Sequence, residues 1–332
     1  MRILIIRLSS IGDVILTTPV LKSLKEKYPN IIIDFLVMKN FKDAIEGCPY
    51  IDNLIIFDKS KGDGLKELVS FGKELKKNKY DYIFDLHSKI RSKIISKTIG
   101  GKIYTYKKRG LLKTILVKSR IIKYRVDNTI VKNYFNAFEV LGVKYKKEDL
   151  TFSYTNEDLQ KVVNLSVDIE NVPIIAPGAS KETKKWTQEG FAQLVKLLYE
   201  KYNKKPLIIG SKSEYEMCDR IRMMSGDLGV NLAGKLTLKE SGALLSKARF
   251  LVTNDSGPFH IGRGVKCPTF VIFGPTSPEM FEYDNENILV YLGEECSPCS
   301  LHGDKDCPKK HFNCMKKLNA KKIMKIIEET GR

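Results

Sequence analysis

Short runs of β-branched and aromatic residues alternate with stretches whose apolar positions recur every three or four residues, through both halves of the 332-residue chain. The first pattern reads as buried parallel strands and the second as helices packed on them. In the first half Arg2 to Leu8, Ile31 to Val37, Asn53 to Phe57, Asp81 to Leu86 and Lys102 to Tyr106 predict strands. Thr17 to Tyr28, Leu65 to Lys77, Ile90 to Ile99 and Val131 to Leu141 predict helices. The pattern then restarts, with strands at Pro173 to Pro177, Pro206 to Gly210, Val230 to Leu232, Phe250 to Asn254 and Thr269 to Phe273. Helices near Gln188 to Lys201, Glu214 to Ser225 and Leu238 to Lys247 separate them. A polar stretch around Thr155 to Val172 divides the two series and reads as a connection, giving domains over residues 1–158 and 170–315. A last helix follows within 316–332, with Ile323, Ile326 and Ile327 forming one apolar stripe.

The expected class is therefore α/β, two Rossmann-like halves facing across a cleft, with ligand sites at the carboxyl ends of the strands. Several chemistries are excluded by pattern. Gly62-Asp63-Gly64 and Gly262-Arg263-Gly264 lack the third glycine of a dinucleotide fingerprint, and no Gly-Lys pair is followed by Ser or Thr as a P-loop requires. No Gly-x-Ser-x-Gly elbow supplies a hydrolase nucleophile.

Composition is that of a globular chain, 42% hydrophobic and 29% charged, and no apolar run approaches the length of a membrane-spanning helix. The first segment is too short for a secretory signal, so the expected location is cytoplasmic, where the seven cysteines stay reduced or bind metal. Charge alters the picture. Of a net +18, residues 1–150 carry +15, from 31 basic and 16 acidic side chains. Leu86 to Arg125 holds thirteen basic residues and no acidic one. Such a stripe suits nucleic acid, an acidic membrane surface or a phosphorylated substrate, unless it reflects a general lysine bias.

Four strand-end loops carry candidate chemistry. Ser9-Ser10-Ile11-Gly12-Asp13 follows the first strand; Asp13 serves either as a helix cap or as a general base toward an acceptor hydroxyl. Asp255-Ser256-Gly257-Pro258-Phe259-His260 is a strand-turn-helix junction whose free N–H groups, with the Ser256 hydroxyl and His260, suit a diphosphate. Its alternative is simple capping with a core-facing His260. Lys184, in the cationic loop Ala176 to Trp186, would neutralise a departing phosphate or lie solvated. Glu214 suits ribose hydroxyls, or the first turn of a helix.

Cys296, Cys299, Cys307 and Cys314 are spaced two, seven and six residues apart, with His302 and His311 among them. That spacing suggests structural zinc or an iron–sulfur site, with unmetallated thiols as the alternative. Cys48, Cys218 and Cys267 lie in separate segments and read as small buried apolar residues.

Together, Arg7-Leu8-Ser9-Ser10-Ile11-Gly12-Asp13, Lys184-Lys185-Trp186, the Asp255 to His260 turn and Phe273-Gly274-Pro275-Thr276 resemble glycosyltransferase family 9 along nearly the whole chain. That family contains the ADP-heptose:lipopolysaccharide heptosyltransferases. The resemblance implies a GT-B fold, an N-terminal acceptor domain, a C-terminal nucleotide-sugar domain and a terminal helix returning toward the first domain. It implies an inverting transfer with no metal or other cofactor. By position Asp13 matches the base, Lys184 the lysine on the donor phosphates, and Asp255, Ser256, Gly257 and His260 the diphosphate turn. Glu214 matches the ribose acid, and Leu236 the backbone position that meets adenine. Thr187 departs from the proline often found after the tryptophan. The basic half then becomes the acceptor domain, for an anionic lipid-linked core at the inner membrane face, with Ser10, Gly12, His87, Lys89 and Arg91 as acceptor contacts. Asp304-Lys305-Asp306 lies in the Cys-rich loop rather than at a strand end, so it does not read as a sugar-nucleotide metal site. The competing readings are a different nucleotide-sugar donor, a nucleic-acid binder with no recognised reading motif, and a membrane-surface scaffold.

Overall fold

A computed structural model describes residues 1–106 and 126–332, which form two compact units. The part of the basic stripe from Lys107 to Arg125 lies outside the described residues. Each unit is a parallel sheet covered by helices.

In the first unit, residues 1–106 and 128–153, the strands are β1 (Arg2–Ile6), β2 (Ile32–Met38), β3 (Asn53–Phe57), β4 (Tyr82–Asp85) and β5 (Ile103–Thr105). They pair in the order β3-β2-β1-β4-β5, all parallel. Helices α1 (Ile11–Ile15), α2 (Thr18–Lys27), α3 (Leu65–Lys76), α4 (Ile90–Ile99) and α5 (Ile130–Ala137) complete it. Ile3, Leu4, Ile5 and Ile6 of β1 are fully buried, because a parallel strand between two neighbours is covered on both faces. Leu4, Ile6 and Leu8 meet Leu68, Leu75 and Ile95 in the core under α3 and α4.

The second unit holds residues 126–127 and 154–332. Its helices are α6 (Asn156–Val163), α7 (Gln188–Tyr202), α8 (Tyr215–Met224), α9 (Leu238–Leu245), α10 (Gly257–Gly264), α11 (Asn313–Lys316) and α12 (Ala320–Glu329). Its strands are β6 (Pro173–Ala176), β7 (Leu207–Ile208), β8 (Val230–Asn231), β9 (Phe250–Asn254), β10 (Thr269–Phe273) and β11 (Asn287–Tyr291). The sheet order is β11-β10-β9-β6-β7-β8. Strand order reverses at β1/β4 in the first sheet and at β6/β9 in the second. Ligands bind outside the carboxyl ends of strands at such switch points.

Three differences from the sequence pattern have local causes. The stretch read as a connection contains α6, which begins where the Thr155 and Asp158 side chains cap each other and packs against α9. Its polar face hid it. The edge strand β11 buries one residue, Val290, so it carries little periodic signal. The terminal helix, read from the stripe Ile323, Ile326 and Ile327, buries Ala320, Ile323, Met324 and Ile327 in the core of the second unit, on α7, and leaves Ile326 half-buried. Lys201–Glu328 at 3.1 Å and Tyr202 Oη donating to the Arg332 carbonyl at 2.9 Å secure it there.

Candidate active site

The chain leaves β1 through Arg7, a charged residue at the end of an apolar strand and 3% exposed. A guanidinium there must find acceptors. It donates through Nη1 to the Leu86 carbonyl at 2.7 Å and pairs through Nη2 with Asp13 Oδ2 at 2.6 Å, above the ring of Tyr134. Ser10 adds two more donors to the same Oδ2, its N–H at 3.3 Å and its hydroxyl at 2.9 Å. Asp13 thus caps the first turn of α1, as one sequence reading had it, while its carboxylate stays about one-third exposed beside a fixed cation. Gly12 is buried in the same turn.

The neighbouring loop follows β4, across the switch point. Asp85, buried at the strand end, accepts from the N–H groups of His87 (3.0 Å) and Ser88 (2.8 Å) and from the Ser92 hydroxyl (2.9 Å). Burial pushes its carboxyl up, against the pull of those hydrogen bonds. The three expected acceptor contacts here differ in placement. Lys89 is exposed at the start of α4, Arg91 is paired with Asp63 at 2.5 Å, and His87 is buried.

In the second unit the loops after β6 and β9 meet at their switch point. Lys184 Nζ is 2.7 Å from Asp255 Oδ2, and Thr276 Oγ1 donates to the same oxygen at 3.0 Å. Asp255 therefore holds a cation in place rather than offering itself to an anion, which its charge would repel. Ser256 and Gly257, half-buried, begin α10 and leave its first N–H groups at the strand end. His260 lies one turn on, buried against Phe259 and Phe281, which is the core-facing alternative. Asn254, which the sequence places at a strand end without giving it a role, ties the loops together. Its Oδ1 accepts from Trp186 N at 3.0 Å and its Nδ2 donates to the Pro177 carbonyl at 2.7 Å. A polar residue ending a buried strand was the signal for it. Thr187 caps α7 by accepting from Gly190 N at 3.1 Å, which explains a threonine where proline is usual.

Glu214 Oε2 accepts from the N–H and the hydroxyl of Ser211, both at 2.7 Å, in the capping role. Its other oxygen lies where a Cβ on residue 178 would stand 1.9 Å away, so Gly178 is what lets the loops after β6 and β7 close on each other. Leu236 is half-buried in the bend before α9.

The four clustered cysteines and His311 line one small cavity, with Cys296 Sγ 3.8 Å from His311 Nε2. Among the described residues no three His, Cys, Asp or Glu side chains converge closely enough to hold a metal ion. Burial, reinforced by the neighbouring sulfurs, pushes the Cys314 thiol up to about 12. Cys48, Cys218 and Cys267 are buried in separate places. The Cys-rich loop nevertheless reaches the site. Asp304 exchanges hydrogen bonds with Thr183, next to Lys184, and Cys299 N donates to the Pro275 carbonyl at 2.9 Å, next to Thr276. Asp304, set apart from the strand ends on sequence grounds, is brought back to one through its backbone.

Comparison with known proteins finds relatives in one family. The family model "Glycosyltransferase family 9 (heptosyltransferase)" matches residues 68–311. Lipopolysaccharide heptosyltransferase 3 of Escherichia coli K12 is 28% identical over 317 residues, covering 91% of each chain. A solved family 9 glycosyl transferase from Veillonella parvula superposes with a TM-score of 0.80 at 23% identity, over 99% of this chain and 96% of that one. The E. coli heptosyltransferase WaaC, solved with ADP-2-deoxy-2-fluoro heptose, superposes with a TM-score of 0.72 at 19% identity, over 99% of each chain. The fold is accordingly GT-B, as the sequence resemblance implied. Spanning most of the two units, the family match establishes that the chain belongs to glycosyltransferase family 9, the heptosyltransferase family, and is a glycosyltransferase.

Proposed function

We propose that the chain transfers a heptose from ADP-heptose to the core of a lipopolysaccharide, with inversion, in one displacement that needs no metal ion. The observation that carries this is Lys184, held by Asp255, which Thr276 in turn orients, beside the start of α10. An ammonium and a helix N-terminus at one strand end supply the positive charge that a departing diphosphate requires. Glu214 lies close enough to the same loop to take ribose hydroxyls, and the backbone at Leu236 takes the base. The relative solved with an ADP-heptose analogue supports that donor class.

In the displacement the acceptor oxygen bonds to the anomeric carbon as the bond from that carbon to the phosphate oxygen breaks. The electron pair leaves with ADP and the hydroxyl proton passes to the Asp13 carboxylate. Inversion requires one base and no enzyme nucleophile. The acceptor is an anionic lipid-linked oligosaccharide, which the positive balance of the first 150 residues favours and toward which Lys89 presents an exposed ammonium. The enzyme works as a peripheral protein on the cytoplasmic membrane face; no helix among the described residues is long and apolar enough to cross a bilayer.

Thermal shift against ADP, ADP-heptose, UDP and UDP-glucose tests the donor. ADP-heptose at about 100 Kd stabilises the fold by ~2.7 kcal/mol, and the uridine compounds leave the melting temperature unchanged. Equal stabilisation by UDP-sugars would move the reading to a different donor.

A further inference from the structure

We infer that Arg7 is a positioning residue for the transfer, linking the loop after β4 to the carboxylate of Asp13. This rests on the proposed role of Asp13 as base. The guanidinium has two fixed ends. One holds the Leu86 carbonyl at 2.7 Å, at the start of the loop that carries His87 and Lys89, and the other holds Asp13 Oδ2 at 2.6 Å. Its Cζ lies 5.7 Å from the centre of the Tyr134 ring, and Tyr106 meets that ring edge-on at 5.4 Å. Among the described residues, the titratable groups that act on Arg7 are Asp13, Tyr134 and Tyr106, from α1, α5 and the residue after β5. Tyr134 is fully buried, and its burial pushes the phenol well above its usual range, so it stays neutral. Asp13 is the one carboxylate of that set, so it is the counter-ion of a guanidinium that never deprotonates.

A cation beside a base has two effects. It keeps the carboxylate ionised and in one orientation, and it lowers the carboxylate's affinity for the proton that it must take. The first effect suits a base that must meet a hydroxyl in one geometry, where a misplacement of about 1 Å costs roughly a hundredfold in rate. Through Leu86, any shift of the acceptor loop also moves the guanidinium, so the loop and the base stay in register.

The test compares Arg7→Gln and Arg7→Lys with Asp13→Asn in the full chain, measuring kcat, donor KM, the pH profile of kcat/KM and thermal stability. Arg7→Gln is expected to lower kcat by about 10- to 100-fold with donor KM within about twofold, and to move the acid limb upward. Arg7→Lys keeps a cation and recovers part of kcat and of the acid limb. If Arg7→Gln does not fold, Arg7→Lys carries the test. It then shows a reduced kcat and a shifted limb at unchanged donor KM. Wild-type kcat and an unmoved acid limb in either folded Arg7 variant, with Asp13→Asn inactive, overturn the inference and leave the base reading standing. Wild-type turnover in Asp13→Asn overturns both.

Discussion

The ammonium of Lys184 lies 2.7 Å from Oδ2 of Asp255, each residue coming from the loop that ends one of two neighbouring strands, β6 and β9. Both side chains are mostly buried, so neither is well solvated without the other. The pair holds one positive group at the start of α10. Its partner Thr276 comes from the end of the third strand, β10.

Removing the cation at Lys184 should therefore weaken donor binding by about 10- to 100-fold, the loss of one charge-assisted contact of roughly 1.5–3 kcal/mol. Calorimetry with ADP measures this directly. Unchanged ADP affinity and turnover in Lys184→Ala would reject the assignment.

Asp13→Asn should lower kcat by about two to four orders of magnitude while ADP binding persists, because a base acts on the chemical step and not on the donor. Retained turnover removes the general-base role. Lost ADP affinity would indicate that the substitution disturbs more than the proton transfer.

Asn254→Ala leaves the Trp186 N–H and the Pro177 carbonyl without their partner at the end of a buried strand. Destabilisation of about 2–3 kcal/mol is expected in urea unfolding. ADP affinity falls with it, since Trp186 and Pro177 flank the Lys184 loop. A shift below ~0.5 kcal/mol would mean that water replaces Asn254 at no cost.

Asp85 makes a prediction about pH. Its carboxyl is pushed up by burial, so the folded state binds its proton more tightly than the unfolded chain, where the value is about 3.9. Its contribution to stability is then fully present below about pH 3.9 and is lost as pH rises through the higher folded value. Asp85→Asn keeps acceptors for His87 N and Ser88 N and removes the titration. Denaturation from pH 4 to 7 should show the variant gaining on the wild type as pH rises; a constant or falling difference contradicts the assignment.

Elemental analysis of protein purified without chelator should find less than stoichiometric zinc and iron, and EDTA should leave the melting temperature unchanged. A structural metal contributes to folding free energy, so its removal would show as a fall. One equivalent of metal would show that the four thiols close on an ion.

Much of the architecture was legible because fully buried parallel strands are near-continuous apolar runs. Phe250–Asn254 and Thr269–Phe273, buried along their whole length, form where the runs place them, as does the edge strand Asn53–Phe57, and Ile90–Ile99 forms where its helical spacing does. The polar helix α6, which buries Val162 alone, and the edge strand β11, which buries Val290 alone, were not. Loop chemistry was half legible. Asp13, Lys184 and Asp255 stood out as polar residues after apolar strands, but their partners are separated in sequence by 6, 71 and 21 positions, as Arg7, Asp255 and Thr276. Residue types and periodicity determined the α/β class, the two series of strands and the rim on which chemistry would sit. Tertiary structure decided that Asp255 grips Lys184, that Arg7 grips Asp13, that the thiols line a cavity without converging as metal ligands, and that the last helix lies on α7. The physical reason is that strand periodicity is set by near neighbours along the chain, whereas the choice of counter-ion depends on which loops the strand order brings to one sheet edge.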